Sequence, residues 1–242
     1  MIFPLRDSPR SATWPVVVVT IIVANVLVFF WELSLGSGQL DAAIRVFGFV
    51  PRRFFGWEQA GGATLDPWRF LPLLTANFLH GGWLHILGNM WFLGVFGDNV
   101  EDRMGHFRFL VFYVLAGAAS MLIQGAVLPG SSVPAIGASG AIAGVLGAYL
   151  LLYPHARVMT IIPIFFFITV RELPAILILG LWFVLQLFSG IGSLGVPDAQ
   201  DTGGVAFFAH IGGFVLGMLL IGIFGGFRRP RLREPPPPWW AS

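Results

Sequence analysis

Four polar residues stand inside otherwise apolar stretches of this chain, and their types fit one chemistry. Ser139 lies in "GASGAIAG", His210 in "AHIGGFVLG", and His85 and Asn89 in "HILGN". Hydrogen-bonding and ionisable groups are costly in such surroundings, so each asks for a reason. A serine hydroxyl becomes a nucleophile when a base removes its proton, and a histidine of near-neutral pKa is the usual base. Attack on a carbonyl then makes an oxyanion, which needs preorganised donors such as an asparagine amide, an imidazole N–H or a backbone N–H. Ser139 as nucleophile, His210 as base, and His85 with Asn89 as oxyanion donors fill each role once, and Gly137 and Gly140 leave space beside the serine. No acidic residue shares their layer. Asp198 and Asp201 are expected to be solvated in the loop before the last apolar segment, so the expectation is a dyad without an acid. Each residue also has a plainer reading. A serine among glycines packs helices, and a lone histidine or asparagine can be a structural hydrogen-bonding group. The weight lies in the four together.

The elements that must hold them are membrane helices. The 242 residues are 56% hydrophobic and 11% charged, with mean hydropathy +0.81. Soluble domains carry about 25% charged residues. There is no cysteine and no lysine; all 14 basic residues are arginine. Disulfides, thiolate catalysis and cysteine-ligated zinc are thereby excluded, and no cofactor or metal is expected. The few charges beside apolar segments read as topology signals and not as a nucleic-acid surface.

Six apolar segments are near the ~20 residues needed to cross a bilayer: roughly 14–33, 82–101, 107–128, 135–154, 173–190 and 205–226. The first is long, and no small-residue cleavage site follows it, so it is read as a span. The expected fold is an all-α membrane protein, a six-transmembrane-helix bundle with a long outer loop, 34–81, between helices 1 and 2. The membrane domain is expected over 1–228, with 229–242 as a mobile, proline-rich cytoplasmic tail. The loop's "RVFGFVPRRFFGW" suits an amphipathic piece at the outer interface. The apolar run 158–170 is short, broken by Pro163 and closed by Arg171 and Glu172, which suits an interfacial or re-entrant segment better than a span. His80 and His106 stand near helix ends and are expected to be interfacial or capping.

With six spans both termini share a side. That side holds ten arginines against four (Arg45, Arg52, Arg53 and Arg69) on the other, so both termini are expected in the cytoplasm, in a bacterial inner membrane. The second, fourth and sixth spans then run inward. His85, Ser139, His210 and Asn89 all fall about 5 to 10 Å below the outer boundary, at ~1.5 Å per residue. Gly140, Gly144 and Gly147 in one span, and Ala209, Gly213 and Gly217 in another, are small-xxx-small patterns that let backbones approach closely. His210 shares the face of Gly213 and Gly217, and His85 shares a face with Asn89.

At these residues the sequence resembles the rhomboid family of intramembrane serine proteases. "GASG" is similar to the family's G-x-S-G, which implies Ser139 as nucleophile. "AHIGGFVLG" resembles A-H-x-x-G-x-x-x-G, which implies His210 as base. "HILGN" resembles H-x-x-x-N, which implies an oxyanion site of His85, Asn89 and backbone near Ser139. Trp68–Arg69 and "EDR" at Glu101–Arg103 resemble motifs of the first outer loop and of the turn after the second span. The resemblance implies anchoring in the outer leaflet for the former, and a charged pair tying a cytoplasmic turn for the latter. Some members carry an aromatic about one turn after the serine, stacked on the histidine. Here Ala143 stands there, leaving Phe207, Phe208 or Phe214 as candidates to hold the ring.

The expected function is therefore a serine endopeptidase cutting single-span membrane proteins in or near their transmembrane segment, with the lipid bilayer and such substrates as partners and no nucleic acid. The alternative is a non-catalytic rhomboid-like protein that binds or escorts transmembrane helices. Such relatives typically lack the serine or the histidine, and this chain has both. A proton relay through His85 and His210 would need polar groups continuing inward, whereas the inner halves read "VFG", "LLLY" and "LLIGIF".

Overall fold

The computed structural model describes residues 3–57, 66–164, 167–194 and 205–225, with the side chains of 163–167 left out of the description. The proline-rich tail, Asp198 and Asp201 lie outside the described residues. The protein is mostly helical. Helices α1 (Val16–Ser34), α6 (His106–Val127) and α8 (Ala175–Leu194) are long and apolar enough to cross a membrane. Helix α5 (Trp83–Met104) is as long as α6 but ends in the charged run Asp98–Arg103. Helices α7 (Ser139–Leu152) and α9 (Phe207–Ile223) are shorter and apolar.

Helix α7 is the centre of the bundle. Every residue from Gly140 to Tyr149 is buried, as expected of a helix that is apolar all round. It packs against α5, α6, α8 and α9. Its start differs from the expected 135–154. Ala135 forms an isolated bridge with Phe49, and the Gly137 amide donates to the Ala76 carbonyl at 2.8 Å. Gly137 has φ +115°, a left-handed conformation that disfavours side chains. The helix can begin only after it, at Ser139.

The expectation of an all-α fold needs correction. Strands β1 (Phe3–Asp7), β2 (Arg157–Ile164) and β3 (Phe167–Pro174) form an antiparallel sheet in the order β1-β2-β3. The run 158–170 is a hairpin because valine, isoleucine and threonine favour extended backbone and antiparallel pairing satisfies its polar groups. Arg157 faces Pro174, and the Ala175 amide donates to the Ala156 carbonyl at 2.8 Å. The hairpin thus returns the chain to the end of α7 before α8 starts.

Between α1 and α5 the chain is not a plain loop. It forms α2 (Ser37–Phe47), α3 (Pro51–Phe55), α4 (Pro67–Thr75) and a 3-10 turn, Ala76–Phe78. The Asp66 carboxylate caps α4 by accepting from the Trp68 amide at 3.0 Å. The Arg69 guanidinium lies over the rings of Phe54, at 5.0 Å, and Phe70, at 5.7 Å.

The far end of the bundle is tied by carboxylates. Buried Glu101 accepts from the Val17 and Val18 amides, at 2.9 and 2.8 Å, and pairs with His106 Nδ1 at 2.5 Å. It thereby caps α1 and fixes the α5–α6 corner, where Gly105 takes φ +82°. Asp102 accepts from the Thr13 amide and hydroxyl, at 2.9 and 2.6 Å. Asp7 of β1 accepts from Tyr149 Oη at 2.5 Å and Asn99 Nδ2 at 2.9 Å, and burial pushes its carboxyl up to about 6.

Candidate active site

Helices α7 and α9 meet backbone to backbone. A Cβ on Gly213 would fall on the Gly140 carbonyl oxygen, one on Gly217 on the Gly144 carbonyl oxygen, and one on Gly147 on the Phe214 carbonyl oxygen. The two small-residue faces read from the sequence are therefore one interface. Ser139 is the first residue of α7 and His210 lies in the first turn of α9. The close contact brings His210 Nε2 to 2.7 Å from Ser139 Oγ. His210 is buried and Ser139 half-buried.

The other side of the His210 ring is held by α8. Gln186 Oε1 lies 2.7 Å from His210 Nδ1. The Trp182 ring stands 5.8 Å from the imidazole at an interplanar angle of 33°. The expectation of Phe207, Phe208 or Phe214 in that place is corrected: Phe214 packs behind, against Trp182 at 6.0 Å and Phe183 at 4.8 Å. Gln186 carried a readable signal, as a lone amide in the apolar run "LWFVLQLF".

His85 and Asn89 approach from α5. The Gly81 amide donates to His85 Nδ1 at 3.3 Å, which leaves the proton on Nε2. A Cβ on Gly137 would stand 2.6 Å from His85 Nε2 and 3.6 Å from Asn89 Nδ2, so both nitrogens face the backbone just before Ser139. The Ser139 amide belongs to the first turn of α7, where amides lack an intrahelical acceptor. Two side-chain nitrogens therefore approach the backbone that leads into the first turn of α7. Asn89 also donates from Nδ2 to His80 Nε2 at 3.0 Å. His80 is buried, not interfacial: its Nδ1 donates to the Phe78 carbonyl at 3.2 Å and its amide donates to the Glu32 carboxylate at 3.1 Å. Nothing in the sequence near His80 pointed to Asn89; packing brings them together.

The fold and the site define a helical membrane protein in which a serine at the start of the central helix meets a buried histidine of a neighbouring helix. A sequence model of the rhomboid domain matches residues 66–227, more than half of the chain, and the chain belongs to the rhomboid family. It is similar to Rhomboid-like protein 11, chloroplastic, of Arabidopsis thaliana, at 27% identity over 84% of this chain and 67% of that protein. RHOMBOID-like protein 4 of the same plant is 33% identical over 64% of this chain and 33% of its own length. The human Presenilin-associated rhomboid-like protein, mitochondrial, is 30% identical over 88% of this chain, which spans about half of that protein, 48%. Two of these relatives are named for chloroplasts or mitochondria, so they lend no support to a bacterial inner membrane.

Proposed function

We propose that this chain is an intramembrane serine endopeptidase that uses a Ser139–His210 dyad. The observation that carries the reading is the 2.7 Å contact between Ser139 Oγ and His210 Nε2, the reach a general base needs. His210 Nε2 takes the hydroxyl proton as Ser139 Oγ attacks the scissile carbonyl. The imidazolium then returns the proton to the leaving amine, and water hydrolyses the acyl-enzyme by the same path. His85 Nε2–H, Asn89 Nδ2–H and the Ser139 amide receive the oxyanion.

The reading includes six spans: α1, α5, α6, α7, α8 and α9. The starts of α5, α7 and α9 meet at the site, as helices running in the same direction would, and the β2–β3 hairpin does not cross. The arginine distribution supports cytoplasmic termini. At ~1.5 Å per residue, α7 is about 21 Å long, shorter than a ~30 Å hydrocarbon core. Its first residue therefore sits below the outer surface, next to irregular backbone, which is tolerated at such depth where it lines a water-filled cavity. Hydrolysis needs that water. A peptide bond in an intact helix is shielded, so the substrates are single-span proteins whose helices contain glycine or proline and unwind locally.

A fluorophosphonate probe and a panel of tagged single-span proteins test the reading. The wild type labels and cleaves; Ser139→Ala does neither, with its melting temperature unchanged. An unlabelled wild type that still co-purifies with membrane helices would establish the non-catalytic escort instead.

A further inference from the structure

In a serine–histidine pair without an acid, something else must choose which ring nitrogen carries the proton. We infer that Gln186 is the positioning residue that holds His210 in its base-competent tautomer; the inference rests on the protease reading above. The geometry has three parts. Gln186 Oε1 lies 2.7 Å from Nδ1, and a carbonyl oxygen can only accept, so the ring proton sits on Nδ1. The Nε2 lone pair then faces Ser139 Oγ, also at 2.7 Å, as a base requires. With the proton on Nε2 the ring would donate to the serine and could not deprotonate it. The third part is Trp182, whose ring flanks the imidazole.

Trp182 and Gln186 are four residues apart and so share one face of α8. One helical turn thus fixes both the tilt of the ring and its tautomer. In triads a buried carboxylate orients the histidine and also stabilises its charged form. A neutral amide supplies only the first. The site gains orientation without burying a second charge in a low-dielectric bundle, where an ionised carboxylate is expensive. Ala143, which leaves no aromatic on α7 beside the ring, fits this arrangement: the support comes from a different helix.

Three variants test the role, each read by turnover and by the rate of fluorophosphonate labelling per folded molecule. Gln186→Met keeps the length and removes the acceptor. Its turnover should fall at least on the order of 10- to 100-fold with KM unchanged, the loss typical when the orienting partner of a metal-bound histidine is removed. Gln186→Ala serves if the methionine variant does not fold, with the same expected loss. Gln186→Glu presents an acceptor oxygen in either protonation state and should restore turnover to near wild type. A methionine or alanine variant with wild-type turnover overturns the inference, as does a glutamate variant as slow as they are. A wild type that the probe does not label overturns the protease reading itself.

Discussion

His210 stands between two contacts built in opposite ways. On one side α7 and α9 touch through glycine backbones, with no room for a single added carbon at Gly213 or Gly217. On the other, α8 reaches the ring through the ends of two long side chains, Trp182 and Gln186, and few of its own residues are buried. The first contact sets a distance, because stiff backbones leave one separation. The second sets an orientation, because a hydrogen bond and a flanking ring constrain rotation while the helix behind them stays largely uncovered. A base needs both. The two demands fall on different helices, so they can be damaged separately.

The difference is best broken at the tight side. Gly213→Val places its side chain on the Gly140 carbonyl and must push α9 away from α7. Cleavage should be lost and stability should drop by roughly 1–3 kcal/mol, the usual cost of overpacking, seen together as a lower melting temperature and an unlabelled Ser139. Normal activity in this variant would mean that the two faces do not meet. At the loose side, Trp182→Leu keeps an apolar body and removes the ring. Turnover per folded molecule should fall about fivefold, in line with ~1 kcal/mol for a ring–ring contact, while the melting temperature stays near wild type. An equal fall in both would show α8 to be as rigid a packing element as α9. The smallest effect is at Gly180 of α8, where an added Cβ meets nothing within 4 Å. Gly180→Ala should stabilise the helix by about 0.5–1 kcal/mol through propensity alone and leave activity unchanged. A destabilised variant would reveal a close neighbour of α8.

The same division explains what the sequence made legible. The glycine faces follow helical spacing, so local pattern was enough to pair α7 with α9. His85 and Asn89 share a face for the same reason. The start of α7 was not legible, because it depends on the Gly137 conformation and on an amide reaching a carbonyl 61 residues earlier, at Ala76. His80 was misplaced because its partners, Asn89 and Glu32, belong to other parts of the chain. The hairpin was hidden by reading 158–170 by length and hydropathy, although its β-branched residues favour strands. Gln186 obeyed the rule that singled out Ser139 and His210, a polar group alone in an apolar run, and a search of every segment for such residues would have included it.

The pairing of β1 with β2 also sets an order of events during synthesis. Asp7 is opposite Val158, and Phe3 is opposite Ile161. At about 5–20 residues per second, the N-terminal strand waits roughly 8–30 s before its partner has been made. Its partners on α5 are made sooner: Trp91 Nε1 donates to the Pro4 carbonyl at 2.6 Å, and Asn99 Nδ2 donates to the Asp7 carboxylate at 2.9 Å. The first strand can therefore rest on α5 before β2, its partner in the sheet, has been made.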